Sequence, residues 1–101
     1  MDVDRIYKQG IKIVSNPYKL YYCDRQDGIP PLRVYSVPKK LFKRAVKRNL
    51  IRRRIKEAFR HISSQYPSVE NKDCLIVYIS NEVLDYGTIK ERLENLLAKI
   101  S

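Results

Sequence analysis

The chain has 101 residues, 44% apolar and 32% charged, with 21 Lys and Arg against 11 Asp and Glu and a net charge of +10. This suits a single folded domain over residues 1–101, able to bury roughly 60 to 65% of its unfolded surface, and excludes wholesale disorder. No apolar run approaches the roughly 18 residues of a membrane span, and the opening MDVDRIYKQG lacks the apolar core of a signal peptide, so a cytoplasmic protein with no membrane partner is expected.

In chain order, residues 2–9 place Val3, Ile6 and Tyr7 on one side of a short helix that stops at Gly10. Residues 11–14 and 18–23 are β-prone runs split by Ser15, Asn16 and Pro17, which predicts a hairpin. The period of two puts Tyr18, Leu20 and Tyr22 on one face of the second run and Lys19, Tyr21 and Cys23 on the other. A polar loop, DRQDGIPP, leads to a third strand over residues 32–37, ended by Pro38.

Residues 39–60, KKLFKRAVKRNLIRRRIKEAFR, hold eleven of the 21 basic residues and one acid, Glu57, so the segment carries +10 while the remainder sums to zero. Charge gathered into one element makes a local field suited to a polyanion. A merely solvated helix would intersperse Glu and Asp for i,i+4 pairing. The pattern predicts a helix in which Ile51, Ile55, Ala58, Phe59, Ile62 and Tyr66 form an apolar stripe about 100° wide. Asn49, Arg52, Arg53, Lys56 and Arg60 share an exposed flank, and Arg54 falls on the opposite side. Arg48 falls with the apolar stripe, so it either ends the packed part of the helix or lines a cleft beside it.

A loop over 67–72 follows, then DCLIVYI over 73–79, an apolar strand of the kind buried on both faces and therefore central. Strand, helix and strand in succession imply a parallel pair. Thr88 and Glu91 form a capping-box pattern that opens a last helix with Ile89, Leu93, Leu96, Leu97 and Ile100 on one face. The order αβββαβα makes an α+β fold, a single-domain α/β sandwich with one mixed four-stranded sheet.

Catalytic chemistry is hard to find. His61 stands on a helix with no acid expected to pair with it, the carboxylates are scattered, and three glycines make no phosphate cradle. Cys23 and Cys74 lie 51 residues apart without a CxxC motif, which favours free buried thiols over a disulfide or a metal site. Eight tyrosines and no tryptophan is a skewed choice. Tyrosines exposed on a sheet beside a basic element can stack on single-stranded bases, although strand tyrosines are commonly core residues. Tyr21, on the Lys19 side, is the candidate for an open face.

Ser36-Val37-Pro38-Lys39-Lys40, then Ala45-Val46-Lys47-Arg48-Asn49-Leu50-Ile51-Arg52-Arg53, then Glu57-Ala58-Phe59-Arg60 together resemble the signature of the bacterial ribonuclease P protein subunit. That family reads broadly S-V-[SP]-K-[KR], A-V-x-R-N-R-[IV]-[KR]-R and E-[AS]-[FY]-R. The resemblance implies a left-handed βαβ crossover, against the usual right-handed rule, and a likeness to the second domain of a small-subunit ribosomal protein. It implies a subunit of an endoribonuclease, inactive without its RNA, that binds ribonuclease P RNA and the 5′ leader of precursor tRNA. Catalysis would lie in the RNA, with Mg²⁺ bound mainly there. By position, Lys39, Lys40, Arg48, Asn49, Arg52, Arg53, Lys56 and Arg60 would contact RNA, and Tyr7, Tyr18 and Tyr21 would line a leader cleft.

The sequence departs from the family at Leu50, where a motif arginine is usual and Arg54 is a possible substitute, and at Val3, where phenylalanine is common. It also begins about a dozen residues later than many relatives, so a basic N-terminal arm is expected to be missing. The alternative is a ribosomal or other structural RNA-binding protein without a role in catalysis. A DNA-binding module is not expected, since no recognition helix or dimer seam is visible.

Overall fold

Residues 72–78, KDCLIVY, form the inner strand β4 (Lys72–Tyr78) of a four-stranded sheet in the computed structural model, which describes residues 2–100. The apolar run demands cover on both faces and receives it. β4 lies between β2 (Tyr18–Asp24) and β3 (Arg33–Ser36), antiparallel to the first and parallel to the second, with Leu75 opposite both Tyr21 and Val34. β1 (Ile11–Ser15) completes the predicted hairpin at one edge, giving the order β1-β2-β4-β3.

The register sorts side chains onto two faces. Tyr18, Leu20, Cys74, Ile76 and Tyr78 meet the long helix α2 (Ala45–Ile62) and the C-terminal helix α4 (Tyr86–Ala98) in the main core. On the other face Tyr21 and Leu75 are buried against Ile6 of the N-terminal helix α1 (Asp2–Gln9). Tyr18 donates a hydrogen bond of 2.8 Å to the Ile89 carbonyl, tying β2 to α4, and burial raises its pKa. Tyr18→Phe removes that donor, and chemical denaturation is expected to show a loss of about 1 kcal/mol. An unchanged midpoint would mean that the bond contributes nothing net.

The sequence places the start of the basic helix too early. Residues 39–44 form a turn, with the Leu41 amide donating to the Pro38 carbonyl, and the helix begins at Ala45. Phe42 explains the break. It lies nine residues before Ile51, about 180° away on a continuous helix, so a helix through both could not bury both. Phe42 instead turns into the core, its ring 6.3 Å from that of Tyr78. At the far end α2 stops at Ile62, and Tyr66 packs on the core from beyond a 3₁₀ turn over Ser63–Gln65. Ile51, Ile55, Ala58, Phe59 and Ile62 are buried as the stripe requires.

The expected loop at 67–72 contains a one-turn helix, α3 (Pro67–Glu70), with proline in its first turn, where its missing N–H costs nothing. The cap of α4 is Asp85, whose carboxylate accepts from the Thr88 amide at 2.7 Å, and this bond lowers the Asp85 pKa. Thr88 therefore lies inside the first turn. The buried face of α4 is Ile89, Leu93, Leu96 and Leu97, with Ile100 packed beside it.

Candidate nucleic-acid interface

The exposed flank of α2 presents cations because its opposite stripe is committed to the core. Arg53 and Lys56 project from it and, among the described residues, make no hydrogen bond or ion pair. Arg52 is held in place: Nε donates to the Tyr35 carbonyl at 3.2 Å and Nη1 to Asn49 Oδ1 at 2.8 Å. Arg60 is 71% exposed and its guanidinium meets both carboxylate oxygens of Glu57 at 2.8 Å. His61 Nε2 lies 3.0 Å from Glu57 Oε1, so the histidine does have an acid at helical spacing, contrary to the sequence expectation. Arg60, then His61, lower the Glu57 pKa. The carboxylate's contribution is therefore present above the ordinary carboxylate range and is lost as pH falls through the lowered value.

Arg48 stands apart from this flank. Its Nη1 donates to the carbonyls of Phe42 and Lys43 at 2.8 and 2.9 Å, fastening the turn that carries the exposed Lys39 and Lys40 to the first turn of α2. Of the two readings of its odd position, the end of the packed region is the one found. Arg54 donates to the Leu84 carbonyl at 2.6 Å on the opposite flank, where it holds the segment before α4. That contact removes it as a substitute for the arginine that Leu50 replaces.

The tyrosines divide differently from the expectation. Tyr18 is 0% exposed and faces α2 and α4, so it cannot line a leader cleft. Tyr21 is 7% exposed because α1 covers its face of the sheet, leaving no open platform there. Tyr7, at 60% exposure and 5.0 Å from the Tyr21 ring, is the available aromatic surface. Period two shows which strand residues share a face, but not which face a helix will cover.

Behind α1, Arg5 forms an ion pair with Asp73, a residue 3% exposed whose other oxygen accepts the Leu32 amide at 2.7 Å. Arg5 Nη1 also donates to Cys23 Sγ and to the Asp24 carbonyl, each at 3.3 Å. Cys23 and Cys74 are both free thiols, and burial pushes the Cys74 thiol up to about 11.

Between α2 and β3 lies a cleft of about 520 Å³ lined by Arg33, Val34, Tyr35, Arg52, Lys56, Phe59, Arg60 and Ser63. Three members of the expected RNA-binding set, Arg52, Lys56 and Arg60, converge there. Arg33 was missed by the sequence reading. A lone arginine in a strand gives no local sign that its guanidinium will lie 4.9 Å from the Phe59 ring and bond the Val69, Glu70 and Lys72 carbonyls.

The family model described as Ribonuclease P matches residues 1–101. The ribonuclease P protein component of Thermotoga maritima is 31% identical over 94% of this chain and 82% of its own length. That of Porphyromonas gingivalis is 26% identical over 99% of this chain and 78% of its own. The structure of the Staphylococcus aureus RNase P protein superposes with a TM-score of 0.79 at 31% identity, covering 98% of this chain and 90% of that one.

Proposed function

Because this chain belongs to the ribonuclease P protein family, we propose that it is the protein component of ribonuclease P and serves tRNA 5′ maturation, binding the catalytic RNA and the 5′ leader of precursor tRNA. The observation that supports this reading is the cationic flank of α2, held outward by five buried residues on the reverse of the same helix. Arg52, Arg53 and Lys56 meet RNA phosphates, with Asn49 orienting Arg52 and Arg60 adding its partly neutralised charge. Lys39 and Lys40 extend the contact from the turn that Arg48 secures. The leader passes Tyr7.

Hydrolysis of the phosphodiester is the work of the RNA and its Mg²⁺. Among the described residues no group of three or more His, Cys, Asp or Glu side chains could hold a metal ion. Nor is any described helix long and apolar enough to cross a membrane.

Mixing the protein with a bacterial ribonuclease P RNA at low Mg²⁺ tests the assignment. Precursor tRNA is expected to be cut at the mature 5′ end by the mixture and left intact by the protein without RNA. Robust cleavage by RNA-free protein would overturn the division of labour. A purely structural RNA-binding protein would leave the rate of the RNA unchanged.

The two ring positions separate leader binding from folding. Tyr7→Ala is expected to cost about 1 to 3 kcal/mol of affinity for leader-bearing precursor, the range for one base on one aromatic ring. Affinity for mature tRNA should stay constant. Tyr21→Ala opens a cavity beneath α1 and is expected to lower folding stability by about 3 kcal/mol. Thermal melts beside binding curves for the two ligands check both, and equal losses for both ligands in Tyr7→Ala would remove Tyr7 from the leader path.

A further inference from the structure

The cleft between α2 and β3 has two kinds of wall. Tyr35, in edge contact with the Phe59 ring, gives it an apolar floor, while Arg52, Lys56 and Arg60 stand in a row along one edge, one helical turn apart. Its volume of about 520 Å³ lies within the roughly 300 to 1,000 Å³ of pockets that enclose small organic molecules.

A duplex backbone could use the row of cations but not the floor, because seating a phosphate on the Tyr35 or Phe59 ring would strip its hydration without return. The part of a polynucleotide with an apolar face is the base. Arg33 is prepared for one. Its hydrogens go to the Val69, Glu70 and Lys72 carbonyls and Cys74 Sγ, and one face of its guanidinium rests on the Phe59 ring. Guanidinium planes of this kind are surfaces on which unpaired RNA bases stack. The Tyr35 phenol, neutral near pH 7 like any tyrosine, can share hydrogen bonds with a base edge.

We propose that this cleft takes one unpaired nucleotide of the RNA subunit, with its base against Tyr35 and the Arg33–Phe59 pair and its phosphate on Arg52 and Lys56. The proposal rests on the assignment of the chain as a ribonuclease P protein. The RNA subunit is chosen over the leader because Tyr35 pairs with Ile76 on the α2 face of the sheet, whereas Tyr7 sits with Tyr21 and α1 on the opposite face.

Ultraviolet irradiation of the assembled complex, which joins bases to side chains in direct contact, followed by peptide mass spectrometry, tests the site. Bases of the RNA subunit are expected on tryptic peptides containing Tyr35 or Phe59. Crosslinks from the RNA subunit confined to other peptides, or leader bases found on these two, would overturn the proposal. In a second arm, Ser63→Trp narrows the cleft and leaves every cation in place. It is expected to weaken binding to the RNA subunit at least tenfold at every salt concentration without changing the log–log salt slope. Binding within twofold of the unaltered chain, by a variant whose circular dichroism shows it folded, would also overturn the proposal. A misfolded variant leaves the decision to the crosslinks. Failure of the unaltered chain to assemble with the RNA would overturn the functional assignment itself, a distinct result.

Discussion

Replacing Arg52, Arg53 and Lys56 together by alanine is expected to flatten the salt dependence of binding to the RNA subunit by about two to three units of log–log slope. Each phosphate neutralised contributes about 0.7 to 0.9 through counterion release. Between 50 and 200 mM salt, three such contacts correspond to about a 20- to 40-fold change in affinity, which the triple variant should no longer show. Binding isotherms at four or five salt concentrations measure this directly. Arg54→Ala is the control, since its side chain is engaged by the Leu84 carbonyl on the opposite flank, and its slope should match that of the unaltered chain. Equal slopes for the triple variant and the unaltered chain would take these three residues off the RNA.

Asp73→Ala is expected to cost about 3 to 5 kcal/mol of folding stability, the range for removing one member of a buried ion pair. The substitution leaves Arg5 opposite an uncharged methyl group and the Leu32 amide without its acceptor. For a domain of this size, where 1 kcal/mol shifts Tm by about 4 to 8 °C, the melting temperature should fall by more than about 10 °C. Asp73→Asn, which can still accept from Leu32, should lose less. Because Arg5 belongs to α1, the Ala variant assayed below its melting point is expected to bind leader-bearing precursor more weakly while keeping its affinity for the RNA subunit. A parallel loss of both affinities would mean that α1 supports the whole domain rather than the leader path.

What could be read from the sequence follows what periodicity reports. The buried strand β4, the stripe of α2 and the apolar face of α4 were legible because burial imposes a period of two or 3.6 on the residues themselves. The start of α2 was not, since its charge run continues through residues 39–44 while Phe42, the residue that forces the break, is a single apolar side chain out of phase. Tyr18 and Tyr21 were correctly placed on opposite faces, yet their burial depends on helices remote in sequence. Arg33 gave no local sign, Arg48 fell with the apolar stripe and Arg54 lay opposite the exposed flank, and each bonds backbone carbonyls supplied by segments that the helix wheel does not include. The contact between Glu57 and His61 is different: its i,i+4 spacing was visible and was overlooked.

The helix that fills the core with one face presents cations with the other, so this protein cannot release RNA by unfolding without also losing its core, and cannot bind RNA without stabilising it. Its melting temperature is thereby a gauge of occupancy. At a free RNA concentration of 100 times Kd, mass action raises the stability of the folded chain by about 2.7 kcal/mol, and a melt of the protein followed across RNA concentrations becomes a binding curve read in degrees.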